Sequence, residues 1–325
     1  MSAMLFKGLF RPRRGSSRFF RLGTGLAALA VVLLVAAIGV LLIRDSVLSL
    51  RKFGLAFWVG TTWDPVAGEF GALPFLWGTL YSSFLALALS TPVALGIAVC
   101  LSELSPDILK RPLIFLTELL AAIPSIVYGL WGIFVLVPVV RWLEAATPFW
   151  LRETPLFKGP PLGVGLLAGA LVLAVMIIPY TASVAREILK AVPSNQREAA
   201  YALGATRWEA IRMAFFYART GILGAILLGL GRALGETMAV TMVIGNSPRI
   251  SPSLFAPQHT MAAVIANEFT EAADDLYLNA LIEIGLVLFV ITLVINALSR
   301  FLIWSVNREV KVKEPKSAPA REAAA

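Results

Sequence analysis

Arg232 and Glu236 are the residues best placed to do chemistry, because each interrupts an otherwise uncharged apolar run from about Thr220 to Ile244. On one continuous helix a spacing of four puts both side chains on the same face. They would lie roughly 18 to 24 Å along that helix from Thr220, deep in a bilayer. An arginine at such depth costs about 2.5 to 3.5 kcal/mol on insertion scales, so it must face protein, a countercharge or water. Gly231 and Gly235 form a Gly-x3-Gly that lets a helix or ligand approach closely. Two readings follow: a structural ion pair that locks helices, or a charged pair lining a path through the membrane. Buried pairs contribute little net stability, whereas intramembrane ions mark pathways, which favours the second. Of the other intramembrane carboxylates, Glu118 reads as interfacial, and Glu283 as a rim residue or a partner in an interhelical hydrogen bond.

Composition excludes most other chemistry. His259 is the sole histidine and Cys100 the sole cysteine. That removes His/Cys metal clusters, imidazole relays and intrachain disulfides. His259, beside Pro257 and Gln258, reads as a solvated loop residue, and Cys100 as small apolar packing. The sequence has no Gly-x4-Gly-Lys-Ser/Thr phosphate loop, no His-Glu-x-x-His, no nucleophile elbow and no Cys-x-x-Cys. No catalytic site, metal or cofactor is therefore expected on this chain.

The elements that must position these residues are membrane helices. Of 325 residues, 58% are hydrophobic and 15% charged, against roughly 25% charged in a soluble domain. One globular core of this length cannot hide so much apolar surface. Apolar runs near the ~20 residues that span a bilayer occur at Leu22 to Ile43, about Pro74 to Leu101, between Pro112 and Arg141, between Lys158 and Arg186, about Thr220 to Ile244, and about Leu276 to Ile303. The runs are continuous, not alternating, which selects helices over barrel strands. The expected fold class is all-α integral membrane with six transmembrane helices.

With the N-terminus inside, twenty of the 28 Lys and Arg fall inside, seven outside, and Arg232 within a span. Both termini are therefore expected to be cytoplasmic in a multi-pass chain. The expected organisation is a basic segment at 1–21, an uncleaved anchor helix at 22–43, an extracytoplasmic loop at 44–72, a core of five helices at 73–305 and a disordered tail at 306–325. Inside loops and the tail account for the net charge of +8. Membrane lipid is thus the expected surrounding partner, with no nucleic acid.

One inside loop, at about 190–216, carries a distinct pattern. After Pro193 it reads Ser-Asn-Gln-Arg-Glu198-Ala199-Ala200-Tyr-Ala-Leu-Gly204-Ala-Thr206-Arg-Trp-Glu209-Ala-Ile211. Local rules predict two short helices. Asn195 caps the first with Glu198 answering it, Gly204 ends it in the left-handed conformation, and Thr206 with Glu209 opens the second as a capping box. Ala199, Ala200 and Leu203 then share a face that another surface can approach. A DNA-binding helix-turn-helix has a similar pattern, but a segment clamped between two spans lacks the freedom to enter a major groove. A plain helical hairpin joining two spans stays open.

Glu198-Ala199-Ala200, three residues, Gly204 and then Ile211 resembles the EAA loop of ABC importer permeases. It departs from that pattern at Phe215-Phe216-Tyr217, where the family often carries a proline. Gly71 to Ser83, Ala122 to Gly129 and Gly229 to Val240 resemble the phosphate importer permeases and, of their two permease types, the PstC type. The resemblance covers about Phe70 to Trp304. It implies a type I ABC importer permease core (MetI-like) in a bacterial inner membrane, moving phosphate inward. It implies a second permease subunit of the PstA type, an ATPase dimer of the PstB type holding ATP and Mg, and an extracytoplasmic phosphate-binding protein of the PstS type. It also implies that Glu198, Ala199, Ala200, Gly204 and Ile211 couple the chain to that ATPase. For an oxyanion cargo, the guanidinium of Arg232 offers planar paired donors to two oxygens, and Glu236 would neutralise it when the site is empty. A permease for sulfate or molybdate, an ion-coupled secondary transporter and a membrane scaffold are the competing readings. The EAA-like loop counts against the second, and the charged pair against the third.

Overall fold

The computed structural model describes residues 14–308. Most of the expected basic segment, and the tail beyond 308, lie outside the described residues. Helix α1 (Arg14–Asp45) covers the expected anchor and is longer at both ends than 22–43. The loop after it is built from α2 (Val47–Phe53), α3 (Ala56–Val59) and an antiparallel hairpin of β1 (Trp63–Asp64) and β2 (Glu69–Phe70). Helix α4 (Leu73–Val99) runs into a π-helical turn at Cys100–Leu104. Then come α5 (Asp107–Ala122), α6 (Ser125–Trp131), a second π turn at Gly132–Leu136, α7 (Val137–Ala146) and α8 (Phe149–Arg152). The chain continues through α9 (Leu166–Lys190), α10 (Ser194–Ala202), α11 (Arg207–Leu234), α12 (Met238–Thr241), α13 (Met261–Glu268) and α14 (Asp275–Arg308).

Among the described residues, six segments are long and apolar enough to cross a membrane: Phe19–Asp45, Leu73–Leu104, Ser125–Ala146, Leu166–Lys190, Arg207–Leu234 and Asp275–Val306. The chain is a multi-pass, all-α membrane protein. Two spans differ from the apolar runs. Ile123, at φ −64 and ψ 130, leaves helical geometry ahead of Pro124, as the residue before a proline tends to. The run between Pro112 and Arg141 is therefore two helices, and Glu118 belongs to α5 rather than to the span. The fifth span begins at Arg207 instead of Thr220 and stops at Leu234 instead of Ile244. The second short helix expected of the loop is the first part of α11 itself. Because Gly235 ends α11, Arg232 and Glu236 do not share one helix.

Helix α9 is central and packs against α4, α5 and α11. Its tightest neighbour is α4, and the reason lies in the side chains. Gly78, Ser82, Ala86, Ser90, Ala94 and Ala98 recur every fourth residue and are all buried. They form a low ridge along α4, on which Ala86 and Ala98 pack in clusters with residues of α9 while Gly78 meets His259, and such small residues let helices approach closely. Lipid tails are as apolar as leucine, so such van der Waals packing, rather than apolar burial alone, holds spans together. The apolar contacts fall into zones. Phe57, Phe70, Phe75, Met261, Leu281 and Ile284 cluster at the hairpin end, and Ala98, Leu189, Ile211, Ala214 and Ile222 at the α10 end. A third cluster joins Tyr128, Val172, Met176 and Val243.

Candidate functional site

The α10 end forms first from local rules. Pro193 occupies the cap position with no side-chain hydrogen bond. Asn195 already lies inside the helix, so the expected Asn195–Glu198 cap does not form. Gly204 follows at φ +82. The Ala205 N–H donates to Ala200 O at 3.0 Å and the Gly204 N–H to Tyr201 O at 2.9 Å, the left-handed ending that glycine permits. Both halves of the Thr206–Glu209 capping box are present. Glu198, Ala199 and Gly204 are exposed, whereas Ala200 and Ile211 are 4% and 5% exposed. Three of the five coupling candidates thus face outward and two seat the segment on the bundle. Leu203 does not share a face with Ala200. It is 90% exposed, with Tyr201 and Trp208 also exposed nearby in the chain.

Residues that the sequence does not single out hold this segment down. Arg197 Nη2 donates to Glu103 Oε1 at 2.6 Å and Arg186 Nη2 meets Glu187 Oε1 at 2.6 Å and Glu118 Oε1 at 3.6 Å. Glu118 is thereby tied to the α10 end of α9. Arg197 precedes Glu198, but its partner lies 94 residues away, and no spacing rule connects them.

Arg232 sits in the last turn of α11, half-buried. Its guanidinium carbon lies 5.7 Å from the Tyr180 ring centroid, within cation–π range. Its Nε is buried without a hydrogen-bond partner. No carboxylate among the described residues is within 4.0 Å of it. Glu236 lies beyond the break, where its Oε1 accepts from the Ala239 N–H at 3.2 Å and so caps α12. The expected same-face ion pair is absent here because the helix stops between the two residues. Gly231 and Gly235 are exposed, and a Cβ on Gly231 would meet nothing within 4 Å. The second interrupted span arrives at the same place. The Tyr128 hydroxyl of α6 donates to Leu120 O at 2.7 Å across the break at Pro124. Gly129 packs against Met238, Ala239 and Met242. A guanidinium without an anionic partner, beside an open glycine face, can receive an oxyanion.

Two other readings change. Glu283 is not at a rim: it is fully buried, and both of its oxygens lack a hydrogen-bond partner. His259 is 2% exposed, its ring edge-on to Phe75 at 5.4 Å, and burial pushes its pKa down to about 4. Among the described residues no three His, Cys, Asp or Glu cluster closely enough to hold a metal.

Residues 90–312, from the middle of α4 to the end of α14 and beyond, match the family described as binding-protein-dependent transport system inner membrane component. The chain belongs to this family. Among curated relatives of this inner membrane component, the phosphate transport system permease protein PstC of Mesorhizobium japonicum is 45% identical over 294 residues, covering 89% of this chain and 90% of the relative. The protein of the same name from Haemophilus influenzae is 47% identical over 292 residues, covering 87% and 92%. A chain of the MetNI methionine ABC transporter, solved in inward-facing conformations, aligns with a TM-score of 0.54 at 18% identity, over 71% of this chain and 94% of that one. This inner membrane component therefore has the ABC importer permease fold and is a transport permease subunit.

Proposed function

We propose that the chain is a permease subunit of an ATP-driven importer that takes inorganic phosphate from an extracytoplasmic binding protein into the cytoplasm. The observation that carries this reading is Arg232, an intramembrane guanidinium with no carboxylate within reach, held where two broken helices meet. Its planar fork suits two phosphate oxygens. Glu236, just across the break, is its counter-charge in the stages of the cycle that lack cargo. In the conformation described it caps α12, which leaves the guanidinium to the anion. The α10 segment is the docking surface for the partner ATPase dimer, which holds ATP and Mg. Glu198, Ala199, Gly204 and the exposed Leu203 form its face, and Ala200 and Ile211 its seat. A second permease subunit completes the pathway opposite Gly231 and Gly235. The α10 end, and with it both termini, lies in the cytoplasm of a bacterial inner membrane.

The test is phosphate uptake by the complex reconstituted in vesicles, normalised to assembled complex and supplied with saturating binding protein. Arg232→Lys keeps the charge but loses the fork, and is expected to cut uptake at least tenfold with normal assembly. Arg232→Gln is expected to do at least as much damage. If the double variant Arg232→Gln, Glu236→Gln transports at the full rate, no charge is needed in the pathway and the anion-contact role is wrong.

A further inference from the structure

Helix α4 is gripped at both ends by polar contacts to segments far away in sequence. At the α10 end, the π-helical turn aims Glu103 at the coupling segment. Arg197 Nη2 donates to Glu103 Oε1 at 2.6 Å and to Leu189 O at 2.9 Å, and Nη1 to Val192 O at 2.9 Å. Arg207, the first residue of α11, donates to the backbone carbonyl of Glu103. The Arg197 and Glu103 side chains are mostly buried, the setting in which charge-assisted hydrogen bonds are strongest. Helices α9 and α11 flank α10 in the chain and must follow it. Helix α4 is joined to it through Glu103.

At the other end, the first three turns of α4 hold the loop between α12 and α13 and the first residue of α13. Trp77 Nε1 donates to Ser251 O at 3.1 Å, the Tyr81 hydroxyl to Pro252 O at 3.0 Å, and the Met261 N–H to Thr79 Oγ1 at 2.9 Å. A Cβ on Gly78 would come within 2.1 Å of His259 O, so only glycine allows the loop to lie this close. Helix α4 is 27 residues long, about 40 Å, with one grip inside its first turns and the other in the π turn that follows it. Small buried residues recur along this length, and Ala86 and Ala98 among them pack in clusters with residues of α9. Such a ridge lacks bulky knobs, so α4 can slide by small shear against α9 without repacking.

We propose that α4 is a strut linking the coupling segment α10 to the loop 245–260, so that ATPase movement and binding-protein docking are communicated through it. This rests on the importer reading above. Glu103 and Arg197 are positioning residues in it, and touch neither cargo nor nucleotide.

The experiment uses the complete reconstituted complex. It measures basal ATP hydrolysis, hydrolysis stimulated by phosphate-loaded binding protein, and phosphate moved per ATP. One end is cut by Arg207→Ala together with Glu103→Ala or the same-shaped Glu103→Gln, the other by the triple Trp77→Phe, Thr79→Val, Tyr81→Phe, so that every side-chain bond of each grip is removed or weakened. Each cut is expected to leave assembly and basal hydrolysis unchanged and to lower stimulation at least fivefold. Glu103→Gln, which keeps an acceptor oxygen, should be the milder of the two. Cutting both ends is expected to be no worse than the more damaging single cut, because a strut severed once carries nothing. Wild-type stimulation in the cut variants, losses that multiply when both ends are cut, or failure of both Glu103 variants to assemble would each overturn the strut. If the unaltered complex is not stimulated by phosphate-loaded binding protein, the importer reading fails and the strut with it. If it is stimulated and the variants match it, the strut alone fails.

Discussion

A charge in an apolar run is visible without any fold, which is why Arg232 and Glu236 stand out from the sequence alone. Their separation by Gly235 is a matter of where one helix stops, and the spacing of four gives no sign of it. His259 shows the same limit from the other side. Its neighbours Pro257 and Gln258 suggest a solvated loop, but the loop folds back over Gly78 and buries the ring, a long-range event without a local signal. That burial has a measurable consequence. The imidazole is held at about 4, below its ordinary 6.5. The unfolded chain takes up a proton near pH 6.5 that the folded chain refuses until about pH 4. The resulting stability is complete above 6.5, is lost as pH falls from 6.5 toward 4, and is constant below that. The whole span amounts to about 3 kcal/mol. The detergent-solubilised protein is thus expected to lose Tm between pH 7 and 5. His259→Phe, which keeps a ring against Phe75, should flatten that part of the profile. Parallel profiles for the two proteins would acquit the imidazole.

At the scale of elements, what is legible is what is local. The capping box at Thr206 and the left-handed Gly204 follow from a few neighbouring residues, and both are present. Pro124 signals only a disturbance. That it splits a span in two, leaving Glu118 on α5 beside Arg186, depends on packing against α9. Which face of α10 is free is likewise tertiary, and it changes how the coupling segment should be probed. Ala200→Trp puts bulk into the seat of α10 and is expected to lower the Tm of the subunit. Leu203→Asp alters the exposed tip, so it should weaken co-purification with the ATPase at least tenfold at unchanged Tm. Gly204 has open space around it, so Gly204→Ala meets only left-handed strain, about 1 to 2 kcal/mol. Gly204→Asn should cost less, since asparagine tolerates that conformation. Undiminished co-purification of Leu203→Asp would remove the tip from the interface.

For the whole molecule, the six spans follow from composition and run length, and orientation rests on charge. Read from the apolar runs, twenty of the 28 Lys and Arg are expected on the side of the α10 segment and seven on the other. Arg44, Arg51 and Lys52 pull mildly the other way, next to the anchor helix that inserts first. If the majority decides, α10 faces the cytoplasm, where an ATPase can reach it, and the hairpin and the loop 245–260 face a binding protein outside. Labelling in intact cells with a membrane-impermeant thiol reagent tests this. Cys100 is exposed and must first be replaced by alanine to remove the background. Probe sites must also be exposed, which excludes Ser253, 2% exposed and bonded to Lys158 O. Val66, 98% exposed in the hairpin turn, and Ser194, exposed at the start of α10, meet that condition. Val66→Cys is expected to react in intact cells, and Ser194→Cys only after the membrane is permeabilised. The reverse pattern would put α10 outside, beyond reach of cytoplasmic ATP, and the importer would have no source of energy on the side where its coupling segment lies.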